Sequence, residues 1–216
     1  RGIGHIKFKK TKIGEIPEEW EITPLKNSVK EIITYGIVQA GPNIENGIPY
    51  VRTSDMIGDK LTIHNMLRTS KEIASKFQRS TVRKEELVFA IRATVGKVLE
   101  VPEELAGANL TQGTARISPN DNFDYGFVMY SLRSNYIKKQ IDRVIKGTTF
   151  LEITLHDLRE IKILKPLLAE QKQIASILSN VDTQIQKEKL HKSNLERLKK
   201  GLMQKLLTGQ IRVKIK

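Results

Sequence analysis

The sequence predicts an α+β chain: a mixed globular domain over residues 1–165, followed over 166–216 by a long helix that forms an antiparallel coiled coil. Three observations carry this. Short β-branched and apolar runs alternate with turn dipeptides through the first part, one helical periodicity interrupts them near residues 124–146, and the last fifty residues hold helical spacing without an internal proline.

The strand-like runs are Glu31–Tyr35, Pro49–Arg52, Leu87–Ala93, Lys97–Val101, Thr114–Ile117 and Glu160–Leu164. They are separated by Gly41-Pro42, Asn46-Gly47, Gly58-Asp59, Gly107 and Ser118-Pro119. Residues 1–20 read as a basic lead-in, Lys7 to Lys12, with a turn at Gly14–Pro17 and the sole tryptophan, Trp20, as a core anchor. Phe127, Tyr130, Leu132, Ile137, Ile141 and Ile145 give a helix from Asp124 to about Lys146, with a break predicted near Ser134-Asn135.

The C-terminal helix starts after Pro166, with Glu170 in its first turns, and ends at a glycine cap, Gly209. At ~1.5 Å per residue, Ala169 to Leu207 makes a rod of roughly 58 Å, too long to stand without a partner. Ile174, Ile177, Val181, Leu195, Leu198 and Leu202 fall on the a and d positions of a heptad, with Leu178, Ile185 and Leu206 alongside. Glu188 and His191 interrupt that seam. Polar seam residues weaken a helix pair but fix its register, so one specified rod is favoured over two short helices broken near Ser193-Asn194.

The net charge is +13, from 37 Lys and Arg against 24 Asp and Glu. Residues 1–165 hold 26 basic and 20 acidic residues, and 166–216 hold 11 and 4, so both parts are basic. Such charge suits a polyanion, because neutralising phosphates releases counterions from nucleic acid. With no cysteine, disulfides and thiolate metal sites are excluded. No apolar run approaches the ~20 residues that span a bilayer, and no signal peptide is visible, so a cytoplasmic location without membrane contact is expected.

No catalytic constellation emerges. His5, His64, His156 and His191 are isolated and lack metal-ligand spacing. Gly96-Lys97 would end a phosphate-binding loop, but Ile91 stands where its first glycine belongs and Val98 where Ser or Thr should follow. Neither a Gly-x-Gly-x-x-Gly fingerprint, nor the Asn-Pro-Pro-aromatic tetrapeptide of adenine methyltransferases, nor a paired-carboxylate nuclease signature occurs. A basic chain without a catalytic set favours reading nucleic acid over altering it, while a basic surface kept for solubility, or tail lysines facing a protein partner, stands as the alternative.

Five segments fall into a known order: Gly14–Trp20, Ile48–Asp55 (Ile-Pro-Tyr-Val-Arg-Thr-Ser-Asp), Leu87–Lys97, Asn109–Ile117 and Pro166–Ile174. With the strand-to-helix junction Ile163–Ile174 and the ending Gly201–Gly209, they resemble the specificity (S) subunit of type I restriction–modification systems. The resemblance spans nearly the whole chain. It implies a target-recognition domain and a helix that pairs with a second helix and spaces two DNA half-sites. It further implies a subunit without a cofactor of its own, bound to methyltransferase subunits that carry S-adenosylmethionine, with restriction subunits joining them. A full S subunit has two such domains and two helices, whereas this chain has one of each. It is therefore a fragment, or a half-subunit that completes itself as a homodimer reading an interrupted palindrome.

On that resemblance, the candidate DNA-binding residues are Tyr35, Gln39, Arg52, Ser54, Arg92, Thr94, Lys97, Asn109, Gln112, Lys146, Thr148 and Thr149. They are chosen because Arg, Asn and Gln pair with base edges while Lys, Ser and Thr hold phosphates. Structural alternatives stand beside residues of these loops: Tyr35 as core, Asp55 as a turn cap, Asn109 and Thr111 as turn stabilisers, Thr148 as a helix-end hydrogen bonder. The candidate partner-helix residues are Ile174, Ile177, Val181, Ile185, Leu195, Leu198, Leu202 and Leu206. Two other functions remain open on the residues alone, a stand-alone DNA-modifying enzyme with unrecognised catalytic residues and a basic structural coiled coil.

Overall fold

A computed structural model describes residues 4–147 and 151–214. The chain begins with an antiparallel hairpin, β1 (Phe8–Thr11) and β2 (Gly14–Pro17), where the sequence suggests only a lead-in and a turn. Its pairs are mixed in polarity, Lys9 facing Ile16 and Lys10 facing Glu15, so no apolar alternation announces it. There follow β3 (Glu21–Pro24), β4 (Thr34–Tyr35), β5 (Ile48–Val51), β6 (Arg68–Thr69), α1 (Lys71–Lys76), β7 (Leu87–Ala90), β8 (Val98–Glu100), β9 (Asn109–Leu110) and β10 (Thr114–Ile117). Helices α2 (Tyr125–Arg133), α3 (Asn135–Val144) and α4 (Leu155–Glu160), strand β11 (Lys162–Lys165) and helix α5 (Leu168–Leu207) complete it.

The central sheet is antiparallel, in the order β4-β10-β7-β8. All four residues of β7 are buried, and they alternate between two cores: Leu87 and Phe89 join one, Val88 and Ala90 the other. A strand covered on both faces needs a continuous apolar run, and Leu-Val-Phe-Ala supplies it. The first core is completed by Val128, Leu132, Ile137, Ile141 and Leu158 of α2, α3 and α4. The second gathers Val51, Met56, Leu61, Leu105 and Leu110 beside the small sheet β6-β5-β9, in which β5 and β9 run parallel. Strands β11 and β3 form a separate antiparallel pair, Ile163 opposite Thr23.

Side-chain caps set the helix starts. Ser70 accepts from the Ile73 amide at 3.1 Å, Asp124 from Phe127 at 2.9 Å and Thr154 from Asp157 at 3.0 Å. Ser134 closes α2 and caps α3, accepting from Ile137 at 3.5 Å, which is the predicted break. The expected strand Glu31–Tyr35 shrinks to Thr34–Tyr35, because Glu31 turns to ion pairs with Arg83 and Arg116. The one expected over Glu160–Leu164 shifts to Lys162–Lys165, because Glu160 still belongs to α4.

Helix α5 is continuous for 40 residues, with no break at Ser193-Asn194. Gly209 follows it at φ 73°, its amide bonded to the Leu206 carbonyl at 3.2 Å, as a C-terminal cap requires. The chain separates into two compact units, Arg1–Ala175 and Ser176–Lys216. The division comes after the first turns of α5 rather than at Lys165, because Gln171 is fully buried. Its amide bonds the Asn122 and Pro166 carbonyls at 3.1 and 2.9 Å and accepts from the Asp124 amide at 3.0 Å.

Trp20 is half-buried rather than enclosed in either core. Its Nε1 donates to Glu170 Oε2 at 3.1 Å, and its ring stands edge-on to His5. In the second unit, Ile177, Val181, Ile185, Leu195, Leu198, Leu202 and Leu206 are all exposed, whereas Ile174 is partly buried in the first. No helix among the described residues is long and apolar enough to cross a membrane.

Candidate nucleic-acid interface

Backbone pairing brings the predicted loops together. The Gly36 amide donates to Thr111 O at 3.1 Å, Ile37 to Leu110 O at 2.7 Å, and Gln112 to Ile37 O at 3.0 Å, so the segment carrying Tyr35 and Gln39 is zipped to the one carrying Gln112. Val51 O receives the Thr111 amide and the hydroxyls of Thr111 and Thr114, each at 3.2 Å, which docks Arg52 beside them. Ile91 donates to Gly113 O at 2.9 Å, adding Arg92. Glu152 then ties Arg92 to Lys146, bridging to both, with its backbone bonded both ways to Lys146 at 2.8 and 3.0 Å.

The result is a cleft of about 310 Å³ whose walls are Ile37, Val38 and Ala40 on one segment, Arg52 and Thr53 on a second, Arg92 on a third, and Thr111 to Gly113 on a fourth. At Gly113 a Cβ would lie 3.1 Å from the Thr53 methyl, a tight contact that Thr53 would have to relieve. Gln39, Ser54, Thr94, Gln112 and Lys146 are exposed, Tyr35 is 44% exposed, and Lys97 is half-buried.

Both cleft arginines carry a carboxylate. Arg52 Nε donates to Asp55 Oδ2 at 2.9 Å and Nη2 to Oδ1 at 2.6 Å, and the same Oδ2 caps the Arg52 amide at 2.8 Å. The hydrogen bond to Asp55 raises the Arg52 pKa further above its ordinary value. Arg92 Nη2 donates to Glu152 Oε1 at 3.2 Å, and its Nε lies 3.2 Å from Oε2.

Asn109 belongs elsewhere. It is 1% exposed in β9, where its carboxamide oxygen accepts from Ser80 Oγ and from the Leu110 amide, and its nitrogen donates to the Ala74 and Phe77 carbonyls at 3.3 and 3.4 Å. Its chemistry is spent inside the domain, as a bracket between α1 and β9, so it is withdrawn from the DNA-facing set. Thr148 and Thr149 lie outside the described residues.

The sequence did not single out Val38, Thr53 or Glu152. Val38 carries no motif, Thr53 lies within the Ile48–Asp55 segment without being named for itself, and Glu152 is 60 residues from Arg92. Asp55 reads in the sequence as a turn cap; its ion pair with Arg52 has only their i+3 spacing as a signal. Among the described residues no group of three or more His, Cys, Asp or Glu side chains is placed to hold a metal ion.

The cleft lies wholly within a stretch, residues 17–197, that matches the model of the type I restriction modification DNA specificity domain. The chain belongs to that family. It is 36% identical over 214 residues to the putative type I restriction enzyme MjaX specificity subunit of Methanocaldococcus jannaschii, covering 97% of this chain and 48% of that protein. To the MjaVIII specificity subunit of the same organism it is 31% identical over 218 residues, covering 97% and 50%. The chain thus spans about half the length of these curated relatives.

Two solved structures share the fold. One comes from work on complex assembly and conformational transition of the type I R-M system, with TM-score 0.65 and 20% identity over 88% of this chain and 46% of that one. The other is the HsdS subunit from Thermoanaerobacter tengcongensis, with TM-score 0.60 and 20% identity over 92% and 47%.

Proposed function

We propose that this chain of the specificity-domain family is a non-catalytic, sequence-specific DNA-binding subunit of a type I restriction–modification enzyme. It reads one half of a bipartite target in double-stranded DNA and positions methyltransferase subunits, with restriction subunits joining the complex. The observation that carries this reading is the convergence of Arg52, Arg92 and Gln112 around one cleft, with exposed Gln39 lying between two of its lining residues, Val38 and Ala40. These are the side chains whose donors and acceptors match base edges.

Tyr35, Ser54, Thr94, Lys97 and Lys146 lie on chain segments adjoining the cleft walls, and the lysines suit the phosphate backbone. S-adenosylmethionine is then the methyltransferase subunit's cofactor, and this chain takes none. The exposed seam of α5, Ile177 to Leu206, pairs antiparallel with a second copy, which places two recognition domains on an interrupted palindrome. Such a complex works where the chromosome is, in the cytoplasm.

The test is to co-purify the chain with the methyltransferase subunit, add S-adenosylmethionine and map the methylated adenines. One bipartite sequence, methylated only when both proteins are present, is the expected result. Methyl transfer by the highly purified chain alone would instead favour a stand-alone enzyme, and binding without sequence preference even with the partner would favour a structural coiled coil.

A further inference from the structure

The cleft is lined by two arginines yet has little charge to spare, since Asp55 covers Arg52 and Glu152 covers Arg92. Gripping a phosphate profits from an uncompensated cation, whose binding releases counterions. Reading a base edge profits from a donor held at a fixed angle, and a carboxylate partner supplies that at the expense of net charge. The cleft has the second character.

Arg52 has the more constrained geometry. A guanidinium has five N–H bonds. Asp55 takes one on Nε and one on Nη2, leaving those of Nη1 and the second of Nη2 as a planar, two-pronged donor in a residue that lines the cleft. Asp55 is itself immobilised, its side chain 11% exposed and its Oδ2 also receiving the Arg52 amide. In the major groove only guanine offers two adjacent acceptors, O6 and N7, that match such a fork.

We propose that Asp55 is a specificity-determining residue that acts without touching DNA: it turns Arg52 from a mobile cation into a fixed reader of one guanine in the half-site. This rests on the DNA-recognition reading above. It assigns Asp55 a role beyond capping its turn, and it gives the half-site a required G·C pair. Removing the carboxylate releases the Arg52 charge, so a variant at Asp55 should bind DNA at large no more weakly while discriminating less.

The experiment uses the full chain in complex with the methyltransferase subunit and a duplex carrying the methylated sequence mapped for that complex. Each guanine of the half-site is replaced in turn by 7-deazaguanine, which keeps Watson–Crick pairing but lacks N7. The wild type should lose roughly tenfold or more in affinity at one position. Arg52→Ala should lose a similar factor on unmodified DNA and nothing further from the analogue at that position. Arg52→Lys, which retains the charge without the fork, should behave alike and covers the case of an alanine variant that does not fold. Asp55→Asn should lose discrimination at the same base pair while its salt dependence steepens by about one phosphate contact.

The inference is overturned by a half-site without guanine, by analogue effects equal in wild type and Arg52 variants, or by an Asp55→Asn complex with unaltered discrimination. A wild-type complex with no sequence preference overturns it together with the DNA-recognition reading. A wild type that discriminates, with Arg52 irrelevant, overturns this inference alone.

Discussion

The Arg159 guanidinium of α4 closes on the carbonyl oxygen of Ile33, with Nε at 3.1 Å and Nη2 at 2.5 Å. Ile33 is 1% exposed and immediately precedes β4, so this fork fixes the root of the segment that presents Tyr35 and Gln39. Arg159→Met leaves the carbonyl without its charged donors, and losing such hydrogen bonds costs about 1–3 kcal/mol. The expected outcome is a lower denaturant midpoint together with faster amide exchange at Gly36 and Ile37. A midpoint and exchange pattern equal to wild type would refute the clamp.

Gly36 has no room for a side chain. A Cβ placed there would lie 1.9 Å from the Leu110 carbonyl oxygen, a backbone atom already bonded by the Ile37 amide. Gly36→Ala therefore forces the segment Gly36–Ile37 away from Leu110 of β9, at a cost of at least ~1–3 kcal/mol for overpacking that cannot relax by rotamer change. Thermal unfolding should show the loss, and target binding should fall with it. Gly201→Ala, in helix α5 with nothing within 4 Å of the added methyl, is the matching control and should be neutral or stabilising.

How far the sequence disclosed this arrangement depended on which residues had to speak. Strand β7 showed itself because burial on both faces demands an apolar run, and α5 because forty residues give its period ample length. Helices α1 and α4 are six residues each, too short for periodicity, and went unseen in the sequence; their signals are the caps Ser70 and Thr154. Asn109 misled because a carboxamide looks solvent-facing unless its four partners, scattered over Ala74 to Leu110, are known. The cleft was legible as a set of loops but not as a neighbourhood, since the contacts joining them, such as Arg92 with Glu152, are long-range.

His5 forms a pH-dependent contact in the first unit. Its Nδ1 meets Glu19 Oε1 at 2.6 Å and its Nε2 meets Glu170 Oε1 at 3.0 Å, with Trp20 and Phe8 edge-on to the ring. The hydrogen bond to Glu19 raises the His5 pKa against opposing desolvation, and the Glu170 and Glu19 charges add to the rise. The Glu19 pKa is lowered, first by its own backbone amide and then by His5. A raised histidine pKa stabilises fully below its unfolded value, ~6.5, and that stability fades as pH climbs through the higher folded value. A lowered carboxylate pKa stabilises above ~4.3 and fades below it. The contact should be strongest between these limits. In wild type the His5 ring protons should titrate above the ordinary histidine range by NMR, and Glu19→Gln should bring that midpoint down. A midpoint unmoved by Glu19→Gln would remove the argument.

The apolar seam of α5 yields the last test. Leu195 and Leu198 are 51% and 57% exposed, and Leu202 and Leu206 continue the same face, so the helix displays leucines that water does not favour. Burying one leucine-sized side chain contributes ~1.5–3 kcal/mol, and in a symmetric pair each position counts twice. Leu195→Glu with Leu198→Glu both removes that gain and sets carboxylates into the seam. At this chain length, light scattering should report the wild type as a dimer and the double variant as a monomer, while the melting of the globular unit stays in place because its cores contain neither residue. In a longer chain with a second such helix, the same changes would open an intramolecular pair and lower a melting midpoint without changing the mass. A double variant that remains fully dimeric would show that this face is not the one that pairs.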